Sequence, residues 1–215
     1  EWRRLLGSFF AEGVNIAVVK NDEGQIEGYA VYRLGAPEIP VTEFVYTTRR
    51  AQRGLLNYFY NHRSQGESIH WNEGLHDTGY RFVPDGKTGH TTMPYMMARI
   101  VDVETALTTV PVNPEAVMMP ITLNVKVTDT LCDWNNGVFA LALGESTLPN
   151  VKRISHESVD EIDITIDIGG LAALLMGAVS AKDLVFEGKL QGESHWIDYL
   201  DMVYPKQNTY INEWW

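Results

Sequence analysis

The sequence predicts an α+β protein built from two units, a mixed sheet with helices over residues 1–103 and a second α+β unit over residues 104–215. The first hundred residues read as mixed α and β, and the second half combines an alternating, antiparallel-type sheet with several helices. The pattern then restarts at Asp102, a cap residue that opens a short helix after a loop-rich stretch. A length of 215 residues, 45% of them hydrophobic and 21% charged, gives two units of about 100 residues each enough material for a core.

In the first unit, "VNIAVVK" and "EGYAVYRL" read as strands that flank "NDEGQI", whose Asn-Asp-Glu-Gly cluster marks a hairpin turn. After Pro37 and Pro40 the run "VTEFVYTT" reads as a short strand leading into a helix, "RRAQRGLLNYFYNH". Ala51, Leu55 and Phe59 share one face of that helix. "SIHWN" is another expected strand, residues 73–92 are loop-rich, and "MPYMMARIVDV" is expected to close the unit as a strand.

In the second unit, Asp102 caps "VETALTTV", which Pro111 and Pro114 end. "ITLNVKVT" alternates, with Ile121, Leu123, Val125 and Val127 on one face. Asn135-Asn136-Gly137 in "WNNGVFALAL" signals a hairpin through residues that tolerate positive φ. "IDITIDI" places four isoleucines on one face, and "GGLAALLMG" follows as a buried helix. "SAKDLVFEG" has a capping-box start at Ser180 and Asp183 and a glycine stop. "SHWIDYLDMVY" is a last amphipathic helix, with the tail beginning at Pro205. No internal repeat is visible.

Composition removes several classes of function. A formal net charge of −11 argues against nucleic acid, which needs clustered Lys and Arg, and weakly favours a cationic partner. No run reaches the roughly 18 apolar residues of a membrane span. A single cysteine, Cys132, excludes an intramolecular disulfide and cysteine-pair zinc cages and fits a reducing cytoplasm. The opening Trp2, Leu5, Leu6 and Phe9 stand at helical spacing, as in a piece of a longer protein; a naturally short chain is the alternative.

Candidate chemistry is sparse. The histidines at 62, 70, 76, 90, 156 and 195 lack metal-ligand spacing, and His70, Glu73 and His76 form the nearest cluster, one that a loop surface explains equally well. No metal is therefore expected. The G-E-S triplets lack the second glycine of a nucleophile elbow. Cys132, beside Asp129 and Asp133, reads as a packing residue, since nearby acids oppose a thiolate. The strand-to-helix passage "FVYTTRRAQRGLLNYF" comes nearest to a phosphate cradle, but its one glycine, Gly54, is already inside the helix.

That same passage, with its strand, Arg-rich turn and Leu-Leu helix, resembles the core of a GCN5-related N-acetyltransferase. The family's coenzyme A loop reads Q/R-x-x-G-x-G/A. The nearest frames here, "RAQRGL" from Arg50 and "QRGLLN" from Gln52, both depart from it. The unit is similar to a degenerate copy without acetyl-CoA binding. "VTDTLCDWNNGVFAL" resembles the D-x-x-C-x-W-N-x-G hairpin of the enhanced intracellular survival (Eis) proteins through Asp129, Cys132, Trp134, Asn135 and Gly137. "YMMARIVDVETAL" and "IDITIDIGGLAALLMG" are similar to the passages on either side of it.

The resemblance implies a degenerate central acetyltransferase domain followed by a sterol-carrier-protein-like domain. It also implies a preceding catalytic domain, outside this chain, that binds the co-substrate acetyl-CoA, so that the fragment alone is inactive. A small cationic amine such as an aminoglycoside is the implied acceptor, and a cytoplasmic homo-oligomer, a hexamer, the implied assembly. Within the chain it assigns the general base to the C-terminal carboxylate of Trp215, with Glu213 and Trp214 beside the substrate. The tryptophans of "NEWW" would then anchor the tail; the alternative is that they pack on the chain's own core. Two other roles stay open for the second unit, a module for lipid or another apolar ligand and an oligomerisation scaffold.

Overall fold

The computed structural model describes residues 7, 13–35, 37–74, 77, 79–82, 88–93, 96–144, 146–155 and 161–211. The expected opening helix of Trp2, Leu5, Leu6 and Phe9 lies outside the described residues. The described chain divides into two compact units, one formed by residues up to 82 with Tyr210 and Ile211, the other by residues 88–209. Each carries one sheet with helices, the α+β class the sequence predicts.

The first sheet has four strands in chain order: β1 (Asn15–Lys20), β2 (Ile26–Tyr32), β3 (Glu38–Tyr46) and β4 (Ser68–Trp71). The first three pair antiparallel, and β4 runs parallel to β3 because helix α1 (Arg49–Asn61) carries the chain back between them. The β1–β2 turn is organised by Asn21, whose Oδ1 accepts from the N–H groups of Glu23 and Gln25, while Gly24 supplies a φ of +80°. Strand β3 starts before Pro40, earlier than expected. Its partner β2 shifts register between Val31 and Tyr32, a position where the ladder tolerates a missing N–H.

Helix α1 buries Ala51, Leu55 and Phe59 against Ala30, Tyr32, Ile39 and Val41 of the sheet, the face the sequence marks. The approach is close. A Cβ on Gly28 would stand 2.9 Å from the Val45 carbonyl oxygen and 3.0 Å from the Ala51 Cβ, so only glycine fits there.

The second sheet has five strands in the order β7-β6-β5-β8-β9. They are β5 (Ile121–Thr128), β6 (Gly137–Leu143), β7 (Asn150–Ile154), β8 (Ile164–Asp167) and β9 (Leu190–Gly192). Among the described strands of this sheet only β5 and β8 run parallel. Helices α2 (Val103–Thr109), α3 (Ile168–Leu175), α4 (Ala181–Phe186) and α5 (Ser194–Val203) accompany the sheet. Leu123, Val125 and Val127 alternate inward with Leu141 and Leu143, and join Ile164, Ile166, Leu174, Leu184 and Leu200 in one core. The capping box at Ser180 and Asp183 forms as expected, and Gly188 ends the passage with a φ of +74°.

Two expectations need correction. Residues 96–102 form no strand. Met97 is 99% exposed, and the segment is held by side chains instead of a ladder. Arg99 Nη2 donates to the Asp129 carboxylate at 2.8 Å, Trp134 Nε1 to the Val101 carbonyl at 2.9 Å, and Val103 N–H to Asn135 Oδ1 at 3.2 Å. The β5–β6 hairpin is present, but no described non-glycine residue has a positive φ and Gly137 does not either. The loop is instead tied by amide side chains. Asn136 accepts from Asp129 N–H at 2.8 Å and donates to Asp129 O at 2.7 Å, while Asn135 Nδ2 donates to Asp129 Oδ2 at 2.9 Å.

Candidate functional site

The tail was the sequence's principal candidate. Trp215, Glu213 and Trp214 lie outside the described residues, as do His76 and His156. The approach to them is described as far as Ile211. In the second unit, Lys206 Nζ stands 3.4 Å from Asp183 Oδ2 and Gln207 N–H donates to the Gly177 carbonyl at 2.8 Å. In the first, the Tyr210 hydroxyl donates to the Asn72 carbonyl at 3.3 Å. Asn72 follows Trp71, whose ring stacks on Phe44 with centroids 5.4 Å apart and whose indole N–H donates to Glu73 Oε2 at 3.0 Å. Burial first, then the carboxylates of Glu43, Glu73 and Asp77, push the Tyr210 phenol pKa up, so the hydroxyl stays a donor.

The β3–α1 turn is where this topology offers a helix N-terminus to a phosphate. Here part of that offer is already taken up. Thr48 Oγ1 accepts from Ala51 N–H at 3.1 Å and Thr48 O from Gln52 N–H at 3.0 Å. Glu27 Oε2 accepts from the Thr48 hydroxyl at 3.1 Å and from Arg50 Nη2 at 2.9 Å, with Asp22 also 3.6 Å from Arg50. A carboxylate therefore stands beside the helix N-terminus, where it opposes a second anion, and no glycine stands between Tyr46 and Arg53. Deeper in, the Tyr46 hydroxyl donates to Asp77, which with burial pushes its pKa up to about 12; burial is the larger cause. These residues do not fit an acetyl-CoA pyrophosphate.

Arg99, Asp129 and the two asparagines give the D-x-x-C-x-W-N-x-G motif a physical meaning. Asp129 is buried, and hydrogen bonds from Asn135 foremost, then Leu131 N–H and Arg99, hold its carboxyl well below the usual carboxylate range. Gly137 leaves room for Arg153, whose Nε a Cβ there would meet at 3.0 Å and whose Nη1 donates to the Trp134 carbonyl at 2.8 Å. Arg99 Nη2 also lies 3.3 Å from Cys132 Sγ. The half-buried cysteine thus has a guanidinium beside it as well as the acids its sequence neighbours suggest. No spacing in the sequence announces Arg99 as that partner, 30 residues before Asp129.

A cleft of about 450 Å³ opens in the second unit among Val110–Asn113, Leu174, Leu175, Gly177, Val203–Pro205 and Gln207. Tyr204 lines it and is 5% exposed, and its hydroxyl has no hydrogen-bond partner among the described residues. Sequence reasoning assigned Tyr204 only to the end of a helix. No group of three or more described His, Cys, Asp or Glu side chains converges as metal ligands would. Nor is any described helix long and apolar enough to cross a membrane.

Family models assign the chain to two domain types, an acetyltransferase one and a sterol-carrier one. A model of the acetyltransferase (GNAT) domain matches residues 1–100, and a model of the sterol carrier protein domain matches residues 103–212. The chain belongs to the sterol carrier protein domain family, and it carries a GNAT acetyltransferase domain ahead of that match.

Among solved structures, a conserved protein of unknown function from Enterococcus faecalis V583, described as a probable N-acyltransferase, is 27% identical with a TM-score of 0.78; the match covers 90% of this chain and 47% of that one. A GCN5-related N-acetyltransferase from Anabaena variabilis is 18% identical with a TM-score of 0.70, covering 92% and 50%. Eis1 from Mycobacterium abscessus is 20% identical with a TM-score of 0.66, covering 99% and 53%. The last two show a shared fold, and the chain spans about half the length of each of the three. No curated protein matches it. Acetyl-CoA is the co-substrate of the GNAT family, to which the model matched at residues 1–100 belongs.

Proposed function

We propose that the chain is the C-terminal half of an Eis-like N-acetyltransferase that moves acetyl from acetyl-CoA to a small cationic amine. In this reading acetyl-CoA is held by a preceding domain, and this chain contributes the C-terminal carboxylate of Trp215 as general base. Glu213 and Trp214 line the approach to it, the assembly is a homo-oligomer, hexameric as in the family, and the setting is cytoplasmic. The observation that carries the reading is the order of domain types combined with the β3–α1 turn. An acetyltransferase-like unit with the Glu27 carboxylate beside that helix N-terminus and no glycine in the turn favours a co-substrate bound elsewhere.

The chemistry asks for a base within hydrogen-bond reach. An ammonium must lose a proton before its nitrogen can attack a thioester carbonyl. An α-carboxylate with an ordinary pKa of about 3.3–3.7 is weak in water, and burial against indoles raises its basicity. Extending the longer enzyme by one residue beyond Trp215 moves that carboxylate; kcat is expected to fall at least tenfold with the acetyl-CoA KM unchanged. Unchanged turnover would remove the terminus from the mechanism. The 215-residue chain alone is expected to transfer no acetyl group.

The cleft favours a second reading, in which the sterol-carrier-like unit binds a small amphiphile. Its volume of about 450 Å³ lies within the range of ligand sites, and Tyr204 lines it with a buried hydroxyl that lacks a partner among the described residues. An amphiphile carried through purification and detected by mass spectrometry would support this reading.

A further inference from the structure

We propose that Tyr210 is a positioning residue that docks the C-terminal segment on the loop leaving β4, an inference that rests on the terminal carboxylate acting as general base. The acceptor is braced on both sides. Asn72 lies between Trp71, fixed by its stack on Phe44 and its parallel pairing with Val41, and Glu73, fixed by the Trp71 indole N–H. A carbonyl held in this way gives the phenol a fixed partner in a tail segment, residues 205–211, that has no regular secondary structure of its own.

The consequence for the terminus follows from chain geometry. An extended residue spans at most about 3.5 Å, so eight residues beyond Gln207 reach about 28 Å, whereas five residues beyond Tyr210 reach about 18 Å. Fixing Tyr210 therefore shrinks the volume open to the carboxylate about fourfold, and its local concentration rises in proportion. The raised phenol pKa keeps this dock in place through the pH range in which an amine is acetylated.

Two measurements test it. Release of tryptophan from the 215-residue chain by a carboxypeptidase reads the freedom of the tail directly. Tyr210→Ala is expected to speed release at least threefold, and Tyr210→Phe, which keeps the ring, is expected to fall between it and the parent. In the longer enzyme, Tyr210→Ala is expected to lower kcat several-fold with the KM for acetyl-CoA unchanged. That deficit should shrink at alkaline pH, where the amine is already neutral. Equal release rates in all three proteins would overturn the dock. Faster release with unchanged kcat would leave the dock standing and overturn the carboxylate as base. A kcat loss that is uniform with pH would overturn the positioning role.

Discussion

Replacing Tyr204 by Phe removes one oxygen atom from the second unit, and the structure argues that the protein gains stability. Tyr204 is 5% exposed, belongs to the main core cluster, and its hydroxyl finds no partner among the described residues. A buried polar group left unpaired costs about 1–3 kcal/mol of desolvation, against which the lost packing of a single atom is small. A gain of about 1 kcal/mol is expected. In a chain of this size it appears as a rise in Tm of about 2–4 °C.

The same substitution has a pH signature. Burial pushes the Tyr204 phenol pKa well up, so below about pH 10 it is neutral in both the folded and the unfolded chain and contributes no pH dependence. Above that pH the unfolded chain sheds the proton while the folded one keeps it. Stability then falls by about 1.4 kcal/mol per pH unit for each such group. Tyr204→Phe should remove one share of this alkaline loss, leaving those of the other tyrosines that burial shifts upward, Tyr29, Tyr32, Tyr46, Tyr199 and Tyr210. Urea titrations at pH 7 and pH 11, followed by far-UV circular dichroism, measure both effects. A variant destabilised by about 1 kcal/mol or more at pH 7 would refute the reasoning, since the hydroxyl would then have a partner. Under the second functional reading that partner is a bound amphiphile, and delipidation of the parent should restore the predicted sign.

Other sites give simpler expectations. Asn135→Ala removes a 1% exposed amide that donates to Asp129 and accepts from Val103 N–H; a loss of about 2–4 kcal/mol is expected in thermal melts. The low pKa of Asp129 stabilises the fold above the ordinary carboxylate range and is lost as pH falls through its lowered value, so this variant should also unfold at higher pH on acid titration. Gly28→Ala drives a Cβ against the Val45 carbonyl and the Ala51 Cβ at 2.9 and 3.0 Å, and about 1–3 kcal/mol of destabilisation should appear in urea titration.

Elements with a strong period were legible from the residues alone. The helix from Arg49 announces itself through Ala51, Leu55 and Phe59, and β5 through four alternating apolar residues, because burial on one face imposes the period directly. Strands β7 and β9 carry no such pattern. Only Val151 of β7 and Leu190 of β9 are buried, so a short edge strand is defined by its neighbour's hydrogen bonds and not by its own composition. Asn135-Asn136-Gly137 gave the right hairpin for the wrong reason. Local propensity points to backbone dihedrals, while the loop is held by amide bonds to Asp129, six and seven residues away. Arg99 and Tyr204 were invisible as functional groups for a related reason: their meaning depends on partners, present or missing, that only the tertiary structure supplies.

The closure of the β3–α1 turn bears on how the two functional readings relate. Two independent barriers stand against an anion there, one steric and one electrostatic. Without glycine between Tyr46 and Arg53 the side chains crowd the approach of a pyrophosphate to the backbone, and the Thr48 hydroxyl already takes the Ala51 N–H. Neutralising Glu27 would release the Thr48 hydroxyl yet leave the turn without glycine, and adding glycine would leave the carboxylate in place. Neither change alone removes both obstacles to a phosphate at this turn. What remains in the same unit is a loop braced by Phe44, Trp71 and Glu73. A rigid loop with an available carbonyl suits the holding of a peptide segment, and the segment seen on it is this chain's own Tyr210.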